Sequence, residues 1–239
     1  MRSGAGGSGD SSPAGATWAL LVAAGRGERL GLDRPKAFAP LHGRPLMAES
    51  LDRLDRCLLV DAIVVVAASG WEEPTILLSE ELAATKVRSC VTGGTTRSDS
   101  VRAGLAEIPP EALVVLVHDA ARPLVDDAVV ERVLGPLAEG YDGSVPGLAV
   151  PDTLKRVSGG RVTETVARDG LIGAQTPQAF VADALRRALD GDMARATDCA
   201  SLVERSGGQV AVVEGDPRLL KVTTMADLAL VEALLMSEP

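Results

Sequence analysis

The sequence predicts an α/β fold with a doubly wound, mostly parallel sheet, and two observations support this prediction. Short apolar runs rich in Val, Leu and Ile recur without polar alternation, as in strands that are buried on both faces of a sheet. Helix-like segments lie between these runs, and such alternation is typical of doubly wound sheets. The length of 239 residues suits one domain of this kind. We therefore expect a single domain over 17–239, after a flexible tail rich in Gly and Ser over 1–16.

Five apolar runs are predicted strands, and five segments are predicted helices. The strands are 18–24, 62–68, 87–91, 113–117 and 209–213. The helices are 46–59, 98–107, 126–139, 182–189 and 224–236. In the last helix Thr224 occupies a capping position, and apolar residues that include Leu228 and Val231 follow on one stripe.

The segment 149–180 interrupts the alternation of strands and helices. Residues 150–157 and 161–166 are two extended runs joined by Ser158-Gly159-Gly160, which predicts a β-hairpin with a glycine turn. An isolated hairpin is only marginally stable in water. We therefore expect this arm, at about 150–170, to pack on another surface, and a second subunit would provide one.

The composition excludes several classes of protein. A formal net charge of −9 argues against a surface for nucleic acid or anionic membrane. No apolar run is long enough for a membrane span, and the first residues lack the apolar region of a secretory signal. Three cysteines without CxxC spacing and two histidines give neither a disulfide framework nor a zinc signature. We expect a cytoplasmic protein, whose substrate can be a small anion if cations gather locally.

The first candidate motif, at 21–30, directly follows the first predicted strand. Small residues allow backbone N–H groups to approach a phosphate or a base closely; they are Ala23, Ala24, Gly25 and Gly27. The motif is neither a Walker loop nor GxGxxG, and a simple tight turn is the alternative explanation. The nearby cations Arg26, Arg29, Arg34 and Lys36 add support for an anion site, and a solvated basic loop is the equally weighted alternative.

The second motif is the end of the strand predicted at 113–117, where open α/β sheets bind ligands. Asp119 is suited to hold a Mg²⁺ ion that bridges phosphates, and Arg122 is suited to bind an anion. The alternative is an ion pair between these two residues that caps the strand. His118 is interpreted as structural, because a histidine at a strand end is more often packed than reactive.

The third motif, at 92–101, combines a Gly93-Gly94 turn with the start of a predicted helix. Ser98 is placed to cap that helix, and the cap alone explains the pattern. A helix N-terminus also binds anions, and Ser100 is available for a nucleotide base or sugar.

The fourth motif contains Lys221, which follows a strand and a glycine turn. Only four of the 24 basic residues are lysines, which makes each one informative, since a lysine is a compact charge that suits phosphate. A surface lysine is the alternative, but this scarcity favours a role in the cleft. Together the four motifs line one edge of the sheet and indicate nucleoside triphosphate chemistry without a covalent nucleophile.

In their order and residues, these motifs resemble the 2-C-methyl-D-erythritol 4-phosphate cytidylyltransferase family of the non-mevalonate isoprenoid pathway. The resemblance covers 18–236 and is carried by AAGRGERL at 23–30, PKAF at 35–38, GGTTRSDSV at 93–101, HDAARP at 118–123, PDTLKR at 151–156, TVARDGL at 165–171, QTPQAF at 175–180 and KVTT at 221–224. It implies a Rossmann-like nucleotidyltransferase sheet with a protruding β-hairpin arm. It also implies that methylerythritol phosphate attacks the α-phosphorus of CTP, with Mg²⁺ as cofactor and pyrophosphate as leaving group.

The resemblance further implies roles for individual residues. Arg29 and Lys36 match cations that stabilise the pentacoordinate transition state, while Arg168 and Lys221 match those that position the attacking phosphate. The matches to CTP contacts are Ala23, Ala24, Gly25, Gly27, Gly94, Thr95, Ser100, Asp119 and Ala120, with Asp119 also at the metal position. Arg122 and Thr153 match the methylerythritol phosphate site. Similar proteins are homodimers whose arms reach into the partner's site, here at about 150–170.

The chain departs from the family pattern at several positions. Val22 replaces Pro, Ala37 replaces Gln, and Cys199 replaces an acidic residue. Arg218-Leu219-Leu220 stands where the family has an acidic residue, Asn and Ile, which puts an acidic metal ligand there in doubt.

Two other functions remain open from the sequence. One is a cytidylyltransferase of the same fold that acts on ribitol 5-phosphate. Thr153 and Arg168 favour methylerythritol phosphate over this substrate. The other is a non-catalytic nucleotide-sugar-binding or regulatory protein, against which the complete set of cations weighs.

Overall fold

The structure is a computed structural model that describes residues 16–27, 30–193 and 196–238. The tail expected over 1–16 lies outside the described residues except for Ala16. That residue is buried, and its carbonyl oxygen accepts a hydrogen bond from the backbone N–H of Leu113 at 3.3 Å.

Strands and helices alternate along most of the chain. The strands are β1 (Thr17–Val22), β2 (Pro40–Leu41), β3 (Arg44–Pro45), β4 (Ala62–Ala67), β5 (Val87–Thr92), β6 (Val114–Asp119), β7 (Gly143–Ala149), β8 (Leu154–Ser158), β9 (Arg161–Val166), β10 (Ile172–Ala174), β11 (Gln178–Val181) and β12 (Val210–Glu214). The helices are α1 (Leu46–Arg56), α2 (Glu72–Glu81), α3 (Arg97–Leu105), α4 (Asp127–Ala138), α5 (Ala182–Asp190), α6 (Cys199–Arg205) and α7 (Met225–Met236). One short 3₁₀ turn, Lys36–Phe38, precedes β2.

Eight of the strands form the central sheet, in the order β10-β7-β11-β6-β1-β4-β5, with β12 paired to β7. The pairs β1–β4, β1–β6, β4–β5 and β7–β12 are parallel. Strands β10 and β11 run antiparallel to their neighbours. The carboxyl ends of β1, β4, β5 and β6 therefore share one edge of the sheet, where this topology places ligands.

Helices cover both faces of the sheet, as the doubly wound prediction requires. Successive residues of β1 point to opposite faces, so that Leu20 joins a core with α3, α5 and α6, while Leu21 joins a core with α1, α2 and α4. A third, smaller cluster packs α7 onto the segment after β1 through residues such as Leu41 and Val231. The predicted α/β class is confirmed.

Several elements differ from the sequence prediction. The elements that were not predicted are helices α2 and α6 and strands β2, β3, β7, β10 and β11. Strand β7 was missed because it reads GSVPGLA, and Gly and Pro disfavour a strand. Gly143 is required there, since an added Cβ would lie 2.5 Å from Cδ1 of the buried Phe180. Helix α3 begins one residue earlier than expected: Thr96, not Ser98, is its cap, in a reciprocal capping box with Asp99.

The predicted hairpin is present as β8 and β9, which form a separate two-stranded sheet. Its side chains are almost all exposed, including Val157 at 58% and Val162 at 62%. Among the described residues, no helix has the length and apolar character needed to cross a membrane.

Candidate active site

A pocket of about 310 Å³ opens at the carboxyl ends of β1 and β6. Its lining comes from the loop after β1, the 3₁₀ turn, the start of α3, the loop after β6 and the segment before α7. Of the residues predicted to bind ligand, those in the lining are Ala23, Ala24, Gly25, Lys36, Gly94, Thr95, Ser100, Asp119, Ala120 and Lys221. Four separate motifs thus meet in one hollow.

The loop after β1 is folded back against the turn that carries Lys36. The backbone N–H of Lys36 donates to the carbonyl oxygen of Gly25 at 3.2 Å. Gly27 has φ +73°, and an added Cβ would lie 2.7 Å from Cβ of Lys36. Gly27 therefore permits both the turn and the close approach of Lys36, although it does not itself line the pocket.

The loop before α3 presents backbone groups to the opposite side of the pocket. The buried Ser100 hydroxyl accepts from the N–H of Gly94 at 3.1 Å and donates to the carbonyl oxygen of Thr96 at 2.9 Å. These bonds hold Gly94 and Thr95 at the N-terminus of α3, where the helix dipole favours an anion.

Asp119 connects two cations at the base of the pocket. Its Oδ2 lies 2.5 Å from Nζ of Lys221, and its Oδ1 lies 3.0 Å from Nε of Arg97. Burial by itself would raise the pKa of Asp119, but the positive charges of Arg97 and then Lys221 outweigh it and hold that pKa well below its ordinary value. The alternative explanation of this motif, an ion pair between Asp119 and Arg122, is wrong, because Asp119 pairs with Arg97 and Lys221.

Arg122 binds backbone instead of Asp119. Its guanidinium donates to the carbonyl oxygen of Leu219 and, at 3.4 Å, to that of Ala174. Burial lowers the pKa of Arg122. Arg122 joins the loop after β6 to the segment that carries Lys221, and it is not part of the pocket lining.

The remaining predicted residues lie away from this hollow. Thr153 and Arg168 are exposed and flank β8 and β9, and the Arg168 guanidinium donates to the carbonyl oxygen of Pro151. Arg29 lies outside the described residues.

Sequence reasoning missed Arg97, which lies in the quoted motif at 93–101 but was given no role. Besides Asp119, it donates to Sγ of the buried Cys199 at 3.5 Å. Burial raises the pKa of Cys199 to about 11, so the thiol beside Arg97 is neutral. The sequence contains a signal for the pair formed by Arg97 and Asp119. Arg97 lies between a glycine turn and a helix, and the next strand ends in Asp119.

In the described parts of the chain, no group of three or more His, Cys, Asp and Glu side chains is arranged to hold a metal ion. Asp119 is the carboxylate in the pocket lining. One carboxylate fits Mg²⁺ bound chiefly through substrate phosphates, since this ion is often held by one or two carboxylates together with phosphates and water.

The comparisons with known proteins agree with this geometry. Residues 17–237 match the family model IspD, 2-C-methyl-D-erythritol 4-phosphate cytidylyltransferase. The enzyme of that name from Nocardia farcinica is 46% identical over 95% of this chain and 96% of its own length. The one from Saccharopolyspora erythraea is also 46% identical, over 91% of this chain and 98% of its own length.

Solved structures show the same relation. A crystal structure of 4-diphosphocytidyl-2C-methyl-D-erythritol synthase superposes with a TM-score of 0.79 at 33% identity, over 92% of this chain and 99% of that one. The 2-C-methyl-D-erythritol 4-phosphate cytidylyltransferase from Thermus thermophilus gives 0.74 at 34% identity, over 91% and 98%. The chain belongs to the 2-C-methyl-D-erythritol 4-phosphate cytidylyltransferase family.

Proposed function

We propose that this enzyme converts CTP and 2-C-methyl-D-erythritol 4-phosphate to 4-diphosphocytidyl-2-C-methyl-D-erythritol and pyrophosphate, in the synthesis of isoprenoid precursors. The observation that carries the proposal is the convergence of the glycine loop, Lys36, Asp119 and Lys221 on one pocket in a chain of this family. A phosphate oxygen of the alcohol substrate forms the new bond to the α-phosphorus of CTP. The bond from that phosphorus to the β-phosphate oxygen breaks, and its electron pair leaves with pyrophosphate.

The reaction needs charge neutralisation and alignment more than proton transfer. The nucleophile is already ionised, so no general base is required, while two anionic substrates repel each other. Lys36, together with Arg29, stabilises the charge that develops on the α-phosphoryl group in the transition state. The hydrogen bond to Gly25 and the close approach to Gly27 hold the backbone of Lys36 at the pocket wall.

The nucleotide occupies the loop after β1 and the loop before α3. The binding residues are Ala23, Ala24, Gly25, Gly27, Gly94, Thr95, Ser100, Asp119 and Ala120. Small side chains and exposed backbone leave space for phosphates at the first loop. The hydroxyl of Ser100 holds Gly94 and Thr95 for the cytidine portion.

Mg²⁺ is the proposed cofactor, and Asp119 is its protein ligand. The ion would neutralise triphosphate charge as the leaving group departs. Asp119 pairs with Lys221 and Arg97, which keep its carboxylate ionised, and the ionised form is the one that would bind Mg²⁺ in place of Lys221. Lys221 is then available to position the attacking phosphate.

The alcohol substrate is bound by Arg122, Thr153, Arg168 and Lys221. Thr153 and Arg168 belong to the exposed arm, and we propose that the enzyme is a homodimer in which the arm of one subunit completes the site of the other. Exposed Val157 and Val162 supply apolar surface for such a contact. Sedimentation velocity measures the expected dimer.

The enzyme is proposed to work in the cytoplasm. Cys57, Cys90 and Cys199, all in the described part of the chain, are free thiols, as a reducing compartment permits. The proposed partners are small molecules and a second subunit, not nucleic acid or membrane, in keeping with the net charge of −9.

The test is a pyrophosphate-release assay with CTP and a panel of phosphorylated alcohols. We expect release with methylerythritol phosphate and little with ribitol 5-phosphate. Release with ribitol 5-phosphate alone would contradict the proposed substrate. If CTP binds but pyrophosphate is not released with any of the alcohols, the chain is instead a nucleotide-binding protein without transferase activity.

A further inference from the structure

One cation in the pocket lining, Arg97, has no part in the chemistry above. It is the first residue of α3, and the capping box formed by Thr96 and Asp99 fixes the start of that helix. At the other end of its side chain, Nη1 donates to Sγ of the buried Cys199 at 3.5 Å. The Arg97 guanidinium is therefore anchored by contacts within the protein that do not involve substrate.

Arg97 and Lys221 contact different oxygens of the Asp119 carboxylate. Nε of Arg97 donates to Oδ1 at 3.0 Å, and Nη2 lies 2.9 Å from the same oxygen. Nζ of Lys221 donates to Oδ2 at 2.5 Å. Because the two cations do not share an oxygen, the pair with Lys221 can open while the pair with Arg97 stays closed.

The two cations also differ in their freedom to move. The Lys221 side chain is 38% exposed and ends in a single ammonium on a flexible stem, whereas the Arg97 side chain is 24% exposed. The guanidinium is planar and presents its donors in a fixed fork, and two of its nitrogens contact Asp119. Lys221 is thus suited to exchange partners, and Arg97 is suited to stay.

An exchange of this kind leaves a carboxylate that needs a counter-ion. The Asp119 side chain is 9% exposed, and a buried charge that loses its partners is strongly unfavourable. When Lys221 moves to the attacking phosphate, as proposed above, Arg97 is the cation that still pairs with Asp119 among the described residues. Without Arg97, the carboxylate would hold Lys221 back from the substrate.

We infer that Arg97 is a positioning residue for the transfer reaction: it holds Oδ1 of Asp119 and thereby frees Lys221 to bind the phosphate of the alcohol substrate. The inference rests on the proposed function. Arg97→Met removes the charge, whereas Arg97→Lys keeps it and is the conservative rescue. Arg102→Met is the matched control, since Arg102 lies on the same helix and pairs at the surface with Asp99 at 3.1 Å.

Steady-state pyrophosphate release measures the effect on the reaction. For Arg97→Met we expect kcat/KM for methylerythritol phosphate to fall by about 10- to 100-fold, as for the loss of a hydrogen bond to a charged group, while KM for CTP changes by about threefold or less. Arg97→Lys should stay within about threefold of the wild type, and Arg102→Met should match it. A general loss of structure would weaken both substrates equally, and that result would contradict the inference.

NMR of the lysine side chains follows Lys221 without any turnover. The chain has four lysines, so protein labelled with ¹³C at lysine Cε gives four signals, and Lys221→Arg assigns the relevant one. With Mg²⁺ and α,β-methylene-CTP present to block the reaction, methylerythritol phosphate should shift the Lys221 signal in the wild type, Arg97→Lys and Arg102→Met. In Arg97→Met the same shift should need at least about 10-fold more substrate.

The two experiments separate this inference from the proposed function. A wild-type enzyme that binds methylerythritol phosphate but releases no pyrophosphate would defeat the proposed function, while the shift of the Lys221 signal would still decide the role of Arg97. A wild-type enzyme that turns over without any shift of the Lys221 signal would defeat the inference alone.

Three further results would overturn the inference. Wild-type kcat/KM for methylerythritol phosphate in Arg97→Met would show that the guanidinium has no bearing on this substrate. Equal losses in Arg97→Lys and Arg97→Met would mean that a positive charge beside Asp119 is not what frees Lys221. If Arg97→Met and Arg97→Gln both fail to fold while Arg102→Met folds, the arginine serves folding and not positioning.

Discussion

The pocket and the arm carry functional residues in opposite ways. In the pocket, Lys36, Asp119 and Lys221 come from separate loops yet are held by backbone contacts and ion pairs within one chain. On the arm, Thr153 and Arg168 are exposed, and β8 and β9 pair only with each other among the described strands. The pocket is thus formed within one chain, whereas the arm residues act at the partner's site in the dimer that we propose.

The difference shows that the sheet topology positions one part of the proposed site and the inserted hairpin positions the other. Parallel strands bring their carboxyl ends to one edge, so the triphosphate side of the site follows from the order of β5, β4, β1 and β6. A hairpin outside that sheet has no such constraint and can reach a second subunit. CTP binding is therefore expected to persist when the protein is diluted to a monomer, whereas binding of the alcohol substrate is expected to need the dimer.

The largest expected effect is on the pocket side, in Lys36→Ala. Removing this cation should lower kcat by about 100- to 1,000-fold, because a preformed charge at the α-phosphoryl group is lost. Pyrophosphate release gives kcat, and thermal unfolding should show a Tm within a few degrees of the wild type.

The matched control is Lys86→Ala. Nζ of Lys86 donates to the carbonyl oxygen of Cys57 at 2.7 Å, and its side chain is not part of the pocket lining. This variant should keep normal kcat. Near-normal kcat in Lys36→Ala would remove the main support for the proposed transition-state role.

A mixture of inactive variants tests whether the arm serves the partner. Arg168→Ala and Lys36→Ala should each be impaired alone. After subunit exchange, a mixed dimer has one site with both changes and one intact site, so about a quarter of wild-type activity should return. Activity is measured before and after exchange at equal total protein.

The same mixture has a built-in control. Two Lys36→Ala preparations mixed with each other should regain nothing. No recovery with Arg168→Ala, although native mass spectrometry shows mixed dimers, would place Arg168 and Lys36 in the same subunit's site.

The smallest expected effect concerns the anchor of the segment that carries Lys221. The hydroxyl of Thr223 and nearby N–H groups donate to Asp227 and lower its pKa to about 2. The carboxylate therefore stabilises the fold above its unfolded pKa of about 4, and this contribution is lost as the pH falls from about 4 to 2. Asp227→Asn should cost about 0.5–1 kcal/mol at pH 7, as for an exposed cap.

Urea unfolding at pH 7 and near pH 2 measures this difference. The cost of Asp227→Asn should be much smaller at the lower pH, where the Asp227 carboxyl is about half protonated in the fold and almost fully protonated in the unfolded chain. Glu232→Gln, on the same helix but outside its cap, is the control and should be almost neutral at pH 7. An undiminished cost at low pH would mean that the charge is not what stabilises the cap.

Much of the fold could be predicted because parallel strands are apolar throughout. The runs that became β1, β4 and β6 were recognised in this way, whereas β7 was missed because Gly143 and Pro146 make its sequence resemble a turn. Its glycine is required by a contact with Phe180, which is 37 positions further along the chain and is not a local signal.

The site could be predicted to a similar extent. Lys36, Asp119 and Lys221 were expected to meet, since each follows a strand of the same sheet, and the structure brings them into one pocket. Arg97 and Thr176 were missed because their bonds to Asp119 cross 22 and 57 positions of sequence. Such contacts depend on how distant segments pack against each other, which a single sequence does not reveal.

The carboxylate of Asp119, held between two cations, has a consequence for the folding energetics of the site. Gathering like charges in a half-buried hollow is unfavourable, and here an internal counter-ion offsets that repulsion while the protein folds. In the proposed reaction this counter-ion is exchanged and not simply lost: Mg²⁺ would pair with Asp119 while a substrate phosphate would pair with Lys221. Each charge of the cluster thus keeps an opposite charge beside it, which limits the electrostatic cost of bringing two anions together.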